Sequence, residues 1–156
     1  MKSVQLIGGR APICALAVTI ILCLAGGRAQ AQAHKAVNLA PERGLPFSDG
    51  IIAGHTLYVA GQEGTDEAGK LAGGGIGPET SAALENIQKI VKAAGFDMKD
   101  IVNVTVFLAD IRDFPEMNKV YKTVMPDPKP ARATVQVAAL VNNARIEIAA
   151  IAVKPE

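Results

Sequence analysis

The stretch Ile101–Ala109, "IVNVTVFLA", decides the fold class. It is almost wholly apolar and rich in β-branched residues, and no helical stripe runs through it. A segment of this length and composition is expected to be a strand buried on both faces. The residues on either side have a different period. Upstream, Ala83, Leu84, Ile87, Ile90, Val91 and Ala94 repeat at helical spacing. That predicts a helix from about Pro78 to Ala94, with Gly77 and Pro78 at its start and Gly95 as its left-handed stop. Downstream, Asp113 with Glu116 three residues on reads as a capped helix start, and that helix runs to about Val124. The segment "PDPKP" ends it.

Further out the chain returns to strands. Ala36–Leu39 reads as a short first strand. Gly50–Ala53 and Thr56–Gly61 are two strands joined by a two-residue turn at Gly54-His55. Glu63–Gly75 is a Gly-rich polar loop that lacks the lysine and the spacing of a phosphate-binding loop. Ala131–Ala138 and Arg145–Val153 are the last strands, with a turn at Asn142-Asn143 between them. The order is strands, helix, strand, helix, two strands, an α+β pattern. Two helices can cover only one face of a six-stranded sheet, yet the strands carry apolar residues on both faces. Val135 and Val137 lie on one side, Thr134 and Ala138 on the other. An uncovered apolar face predicts a partner subunit, and a symmetric homo-oligomer is the economical choice.

One charge in this pattern demands a reason. Arg132 opens an apolar strand, in "PKPARATVQVAAL" (Pro128–Leu140). If the last two strands pair as a hairpin, Arg132 and Glu147 lie near the same end of the sheet. A structural ion pair at a subunit contact is one reading. The other is that an anion arrives there, because a guanidinium presents two parallel donors that match a carboxylate.

The first residues read as a separate segment. Lys2 and Arg10 precede the uncharged run Ala11–Gly27, followed by "RAQAQA". This is the pattern of a secretory signal peptide cleaved after Ala31 or Ala33, with an uncleaved membrane anchor as the alternative. Residues 34–156 then form one domain, periplasmic or secreted and not bound to membrane once the leader is removed. Removing Lys2, Arg10 and Arg28 from sixteen basic residues leaves thirteen against fifteen acidic ones, a net charge of −2. Cys14 and Cys23 leave with the leader, which excludes a disulfide or thiol chemistry in the mature chain. With no basic cluster and few aromatics, RNA or DNA is not an expected partner. His34 and His55, in a tail and a turn, give no metal site, and no cofactor is expected.

Five motifs in register resemble the reactive-intermediate deaminase (Rid, or YjgF-like) family. They are "LPFSDGIIAGHTLYVAGQ", "ALENIQKIVKAAG", "DIVNVTVFLADIRDF", "MNKVY" and the pair "PARATVQVAAL"/"RIEIAAIAV", covering about Leu45–Val153. The resemblance implies a chorismate-mutase-like α+β fold, with a six-stranded mixed sheet, two helices on one face, and homotrimers with clefts between subunits. It implies hydrolytic deamination of small enamine or imine acids, of the 2-aminoacrylate and 2-iminopropanoate type, to a 2-oxo acid and ammonia. By the same resemblance Arg132 holds the substrate carboxylate, and Glu147 orients water and shuttles its proton. Asn118 and Gly61 then line the cleft. Three positions depart from the family's pattern: Phe47 replaces the usual tyrosine, Ala60 a serine or threonine, and Thr134 a cysteine. The first two make the cleft more apolar. A non-catalytic periplasmic protein that binds small carboxylates through the same clamp is the alternative function.

Overall fold

A computed structural model describes residues 33–155 of the chain. The expected signal segment, apart from Ala33, lies outside the described residues. Six strands and two helices follow in order: β1 (Lys35–Val37), β2 (Gly50–Ala53), β3 (Thr56–Glu63), α1 (Ile76–Ala93), β4 (Ile101–Leu108), α2 (Phe114–Val124), β5 (Ala131–Gln136) and β6 (Ile146–Val153). They form a single six-stranded mixed sheet in the order β1-β2-β3-β6-β4-β5. Every neighbouring pair is antiparallel except β4 and β5, which run parallel.

That parallel pair corrects the expected hairpin. β5 follows β4 through the crossover helix α2, and a parallel return needs such a connection. β6 then pairs antiparallel with the other edge of β4, and with β3 beyond it. β5 and β6 are therefore separated by β4, and Asn142 and Asn143 belong to a loop that arches over the end of β4. Both asparagines adopt φ of 57°, a left-handed conformation to which their short polar side chains are suited.

The core lies between the helices and one face of the sheet. Ala83, Leu84, Ile87, Ile90 and Val91 of α1 are almost fully enclosed, as the helical stripe predicts. Val104, Val106 and Leu108 of β4 and Ile146 and Ile148 of β6 oppose them. Within one chain β4 is buried on this face only, and the second face expected to be covered is left open. Val102 is 48% exposed, and Thr105 and Phe107 are half-buried on the open side. The open face also carries Tyr58, 50% exposed, and Val135, 45% exposed.

Both helix starts differ from expectation for identifiable reasons. α1 begins at Ile76, two residues early, because Gly75 (φ 94°) makes the entry turn. Pro78 still falls in the first turn, where its missing amide has no intrahelical partner to lose. At α2 the box expected from Asp113 and Glu116 does not form. The Asp113 carboxylate instead accepts from Arg145 Nη2 at 2.8 Å, and Glu116 pairs with Lys119 at 2.7 Å. A helical turn over Ile111–Asp113 leads straight into α2, with Asp110 accepting the Arg112 amide at 2.9 Å. Loop 64–75 is pinned at Gly64, where a Cβ would stand 2.3 Å from the Glu79 carbonyl oxygen.

Candidate active site

Arg132 sits on β5 with its side chain turned to the helix-covered face. Strand register fixes this orientation: Arg132 is paired with Val104, and Val104 with Ala150, both buried against the helices. Its guanidinium donates from Nη2 to Asn118 Oδ1 at 2.7 Å. The guanidinium carbon lies 4.4 Å from the centre of the Tyr121 ring and 5.6 Å from that of Phe114. Phe114, Asn118 and Tyr121 recur at four- and three-residue spacing, so α2 presents them together on one face. Nη1 also lies 3.9 Å from Met117 Sδ, and a guanidinium stacked on aromatic faces can present its outer edge to an anion.

Two polar atoms in this region are buried with no hydrogen-bond partner among the described residues: the Tyr121 hydroxyl and Thr134 Oγ1. Burial pushes the Tyr121 phenol above its usual range, and the Arg132 charge opposes that rise. Tyr121 therefore stays neutral at physiological pH.

Glu147 lies on the opposite face. It alternates with the buried Ile146 and Ile148 and is paired with Phe107 on one side and Glu63 on the other. Its carboxylate folds over Gly61, where a Cβ would come within 1.8 Å of Oε1 and 2.7 Å of Cδ. Only glycine leaves room for the carboxylate there. Burial, and then the neighbouring Glu63, push the Glu147 carboxyl above its ordinary value of 4.5. A carboxyl shifted in this direction is a better proton acceptor near neutral pH.

A cavity of about 570 Å³ opens around this carboxylate. Phe47, Ala60, Gly61, Glu63, Asn142 and Glu147 line it, and Arg43 stands at its edge. Phe47 is 57% exposed, so its ring forms an apolar rim.

The seven residues singled out from sequence thus fall into two groups. Phe47, Ala60, Gly61 and Glu147 share the open-face cavity. Arg132, Asn118 and Thr134 cluster on the other face. One intervening strand and three residues of register put the Arg132 and Glu147 Cα atoms roughly 14 Å apart. The ion pair considered for them does not form within one chain. Four residues escaped the reading of the sequence: Phe114, Tyr121, Glu63 and Asn142. The spacing of Phe114 and Tyr121 around Asn118 could have revealed the aromatic shelf. Nothing short of the β3–β6 register could have placed Glu63 opposite Glu147.

Comparison with known proteins adds three findings. Residues 37–154 match the family described as Endoribonuclease L-PSP. A curated relative, the 2-iminobutanoate/2-iminopropanoate deaminase of Bos taurus, is 48% identical over 110 residues, 70% of this chain and 80% of that protein. Among solved structures, RidA from an Antarctic Psychrobacter is similar with a TM-score of 0.69 at 34% identity, covering 80% of this chain and 99% of that one. Escherichia coli TdcF with bound serine has a TM-score of 0.68 at 34% identity, covering 71% of this chain and 90% of that one.

Proposed function

The chain belongs to the Endoribonuclease L-PSP family, and from that premise we propose that it hydrolyses small 2-imino acids to a 2-oxo acid and ammonia. The observation that carries the reading is the half-buried Glu147 carboxylate, seated over Gly61 in a cavity and raised in proton affinity. The 48%-identical relative named as a deaminase of 2-iminobutanoate and 2-iminopropanoate supports it. So does the serine bound to TdcF, a three-carbon molecule with an α-carboxylate.

In this reading the two groups of residues meet across a subunit boundary. Arg132 and Glu147 face opposite sides of one sheet, so a cleft that uses both takes Arg132 from one subunit and Glu147 from its neighbour. A homotrimer built on the open apolar face closes such clefts in a ring. Arg132, with Asn118 beside it, holds the substrate carboxylate. Glu147 takes a proton from water as the water oxygen bonds to the imine carbon, and returns that proton to nitrogen to give a neutral carbinolamine. Glu147 then passes the hydroxyl proton to nitrogen, the C–N bond breaks, and a 2-oxo acid and ammonia leave. Water supplies the oxygen and both hydrogens, so the step needs no cofactor. Phe47, Ala60 and Thr134 shape the walls and favour short apolar side chains on the substrate. We place the reaction in the periplasm or outside the cell, after the leader is cleaved near Ala31 or Ala33.

The deciding experiment uses 2-iminopropanoate generated in situ by an amino-acid oxidase. The purified mature protein should accelerate its loss, and sedimentation equilibrium should give three chains per particle. Tight binding of a 2-oxo acid without acceleration would make the protein a carboxylate-binding module instead.

A further inference from the structure

Directly across the β3–β6 ladder from Glu147 stands a second carboxylate, Glu63. Side chains paired in this way have Cβ atoms about 4.5–5.5 Å apart, and like charges so placed repel. The arrangement is nonetheless built in. Asn142 Nδ2 donates to Glu63 Oε2 at 3.0 Å, and Asn142 is presented by the left-handed turn over β4. Glu63 is therefore tied by Asn142 on the same face of the sheet as Glu147.

The other groups around Glu147 do not cancel this charge. From β4 the facing residue is Phe107, which is uncharged. Gln62 on β3 turns its amide to the Ala60 and Gly61 carbonyls, at 3.2 and 3.1 Å. Arg43, on the segment before β2, is bound by Asp49 at 3.1 Å. Asp49 in turn accepts the Leu39 amide at 2.8 Å, so that ion pair is anchored to the backbone.

We propose that Glu63 is a positioning residue for the hydrolysis: fixed by Asn142, it holds a second negative charge against Glu147, so that Glu147 keeps the proton taken from water until nitrogen receives it. This rests on the role proposed for Glu147 above. The same charge favours the cationic iminium, the more electrophilic form of the substrate, on this side of the cleft. Glu63 acts through Glu147 and through the local field. It is not asked to touch the reacting atoms.

The test is Glu63→Gln, which keeps the shape and an acceptor for Asn142 but removes the charge. Titration of the Glu147 carboxyl by 13C NMR, on trimeric protein without substrate, should show its midpoint moving to lower pH in the variant. The ratio of kcat/KM at about pH 5 to that at about pH 7.5 should rise roughly two- to five-fold, because a weaker base stays ionised further into acid. Affinity for pyruvate should not fall, since the variant only removes a negative charge from the cleft wall. Asn142→Gly, which frees Glu63 while suiting the left-handed backbone, should move the same midpoint in the same direction by less. An unmoved Glu147 midpoint in Glu63→Gln overturns the proposal, as does a variant whose only change is weaker pyruvate binding. A wild type inert towards imines, with the midpoint still moved by Glu63→Gln, removes the hydrolytic reading but leaves the carboxylate pair standing.

Discussion

The two faces of the sheet handle their charged side chains in opposite ways. On the helix-covered face Arg132 is fully supported by its own chain, with Asn118 as acceptor and the Tyr121 and Phe114 rings beneath it. On the open face Glu147 receives no hydrogen bond among the described residues and has an acidic neighbour, and a glycine is all that makes room for it. One half is organised to hold a charge steadily. The other leaves a carboxylate whose proton is easily gained and lost. In the proposed cleft the first suits anchoring and the second suits proton transfer.

Breaking the open-face half should have the largest effect. Glu147→Gln keeps the shape and removes the proton acceptor, so imine hydrolysis should fall by about two to four powers of ten while pyruvate still binds. The same variant has a stability signature. The fold raises the Glu147 pKa, so the folded protein prefers the protonated group. That favourable contribution is complete below the ordinary carboxylate range and is lost as pH rises through the raised value. Glu147→Gln should therefore melt higher than the wild type at neutral pH and show no such gain under acid, as scanning calorimetry at the two pH values would register.

Breaking the anchoring half should weaken binding and turnover together. Arg132→Ala removes charge-assisted hydrogen bonds worth about 1.5–3 kcal/mol each, so calorimetric affinity for pyruvate should drop at least roughly tenfold. Affinity equal to wild type would return Arg132 to a purely structural role.

Gly61→Ala tests the seat of the carboxylate with both functional groups retained. The new methyl group meets the end of a flexible side chain, so the protein should fold, but Glu147 is displaced from its position. Turnover should fall roughly ten- to a hundredfold, with pyruvate affinity little changed.

The smallest effect probes the covered face. Thr134 Oγ1 is buried without a partner among the described residues, and burying an unpaired hydroxyl costs about 1–3 kcal/mol. Thr134→Val is close in shape and should stabilise the protein by about 1 kcal/mol in urea unfolding. A simultaneous loss of pyruvate affinity would assign that hydroxyl to the ligand.

The sequence by itself determined the element order and the side of each helix that is buried. Helical and strand periodicities are local, and Ile87 and Ile90 or Ile146 and Ile148 declare their face without reference to the rest of the chain. It also singled out the two candidate groups, Arg132 as a charge opening an apolar strand and Glu147 through the family motif that the last strand resembles. What only the tertiary structure decided was strand adjacency. The parallel crossover through α2 puts β4 between β5 and β6, and so places Arg132 and Glu147 on opposite faces. The one-sided burial of β4 and the capture of Asp113 by Arg145 have the same origin. So does the meeting of Glu63 and Glu147, separated in the chain by both helices. Pairings of this kind depend on long-range register, and no local pattern in the chain records which strands will become neighbours.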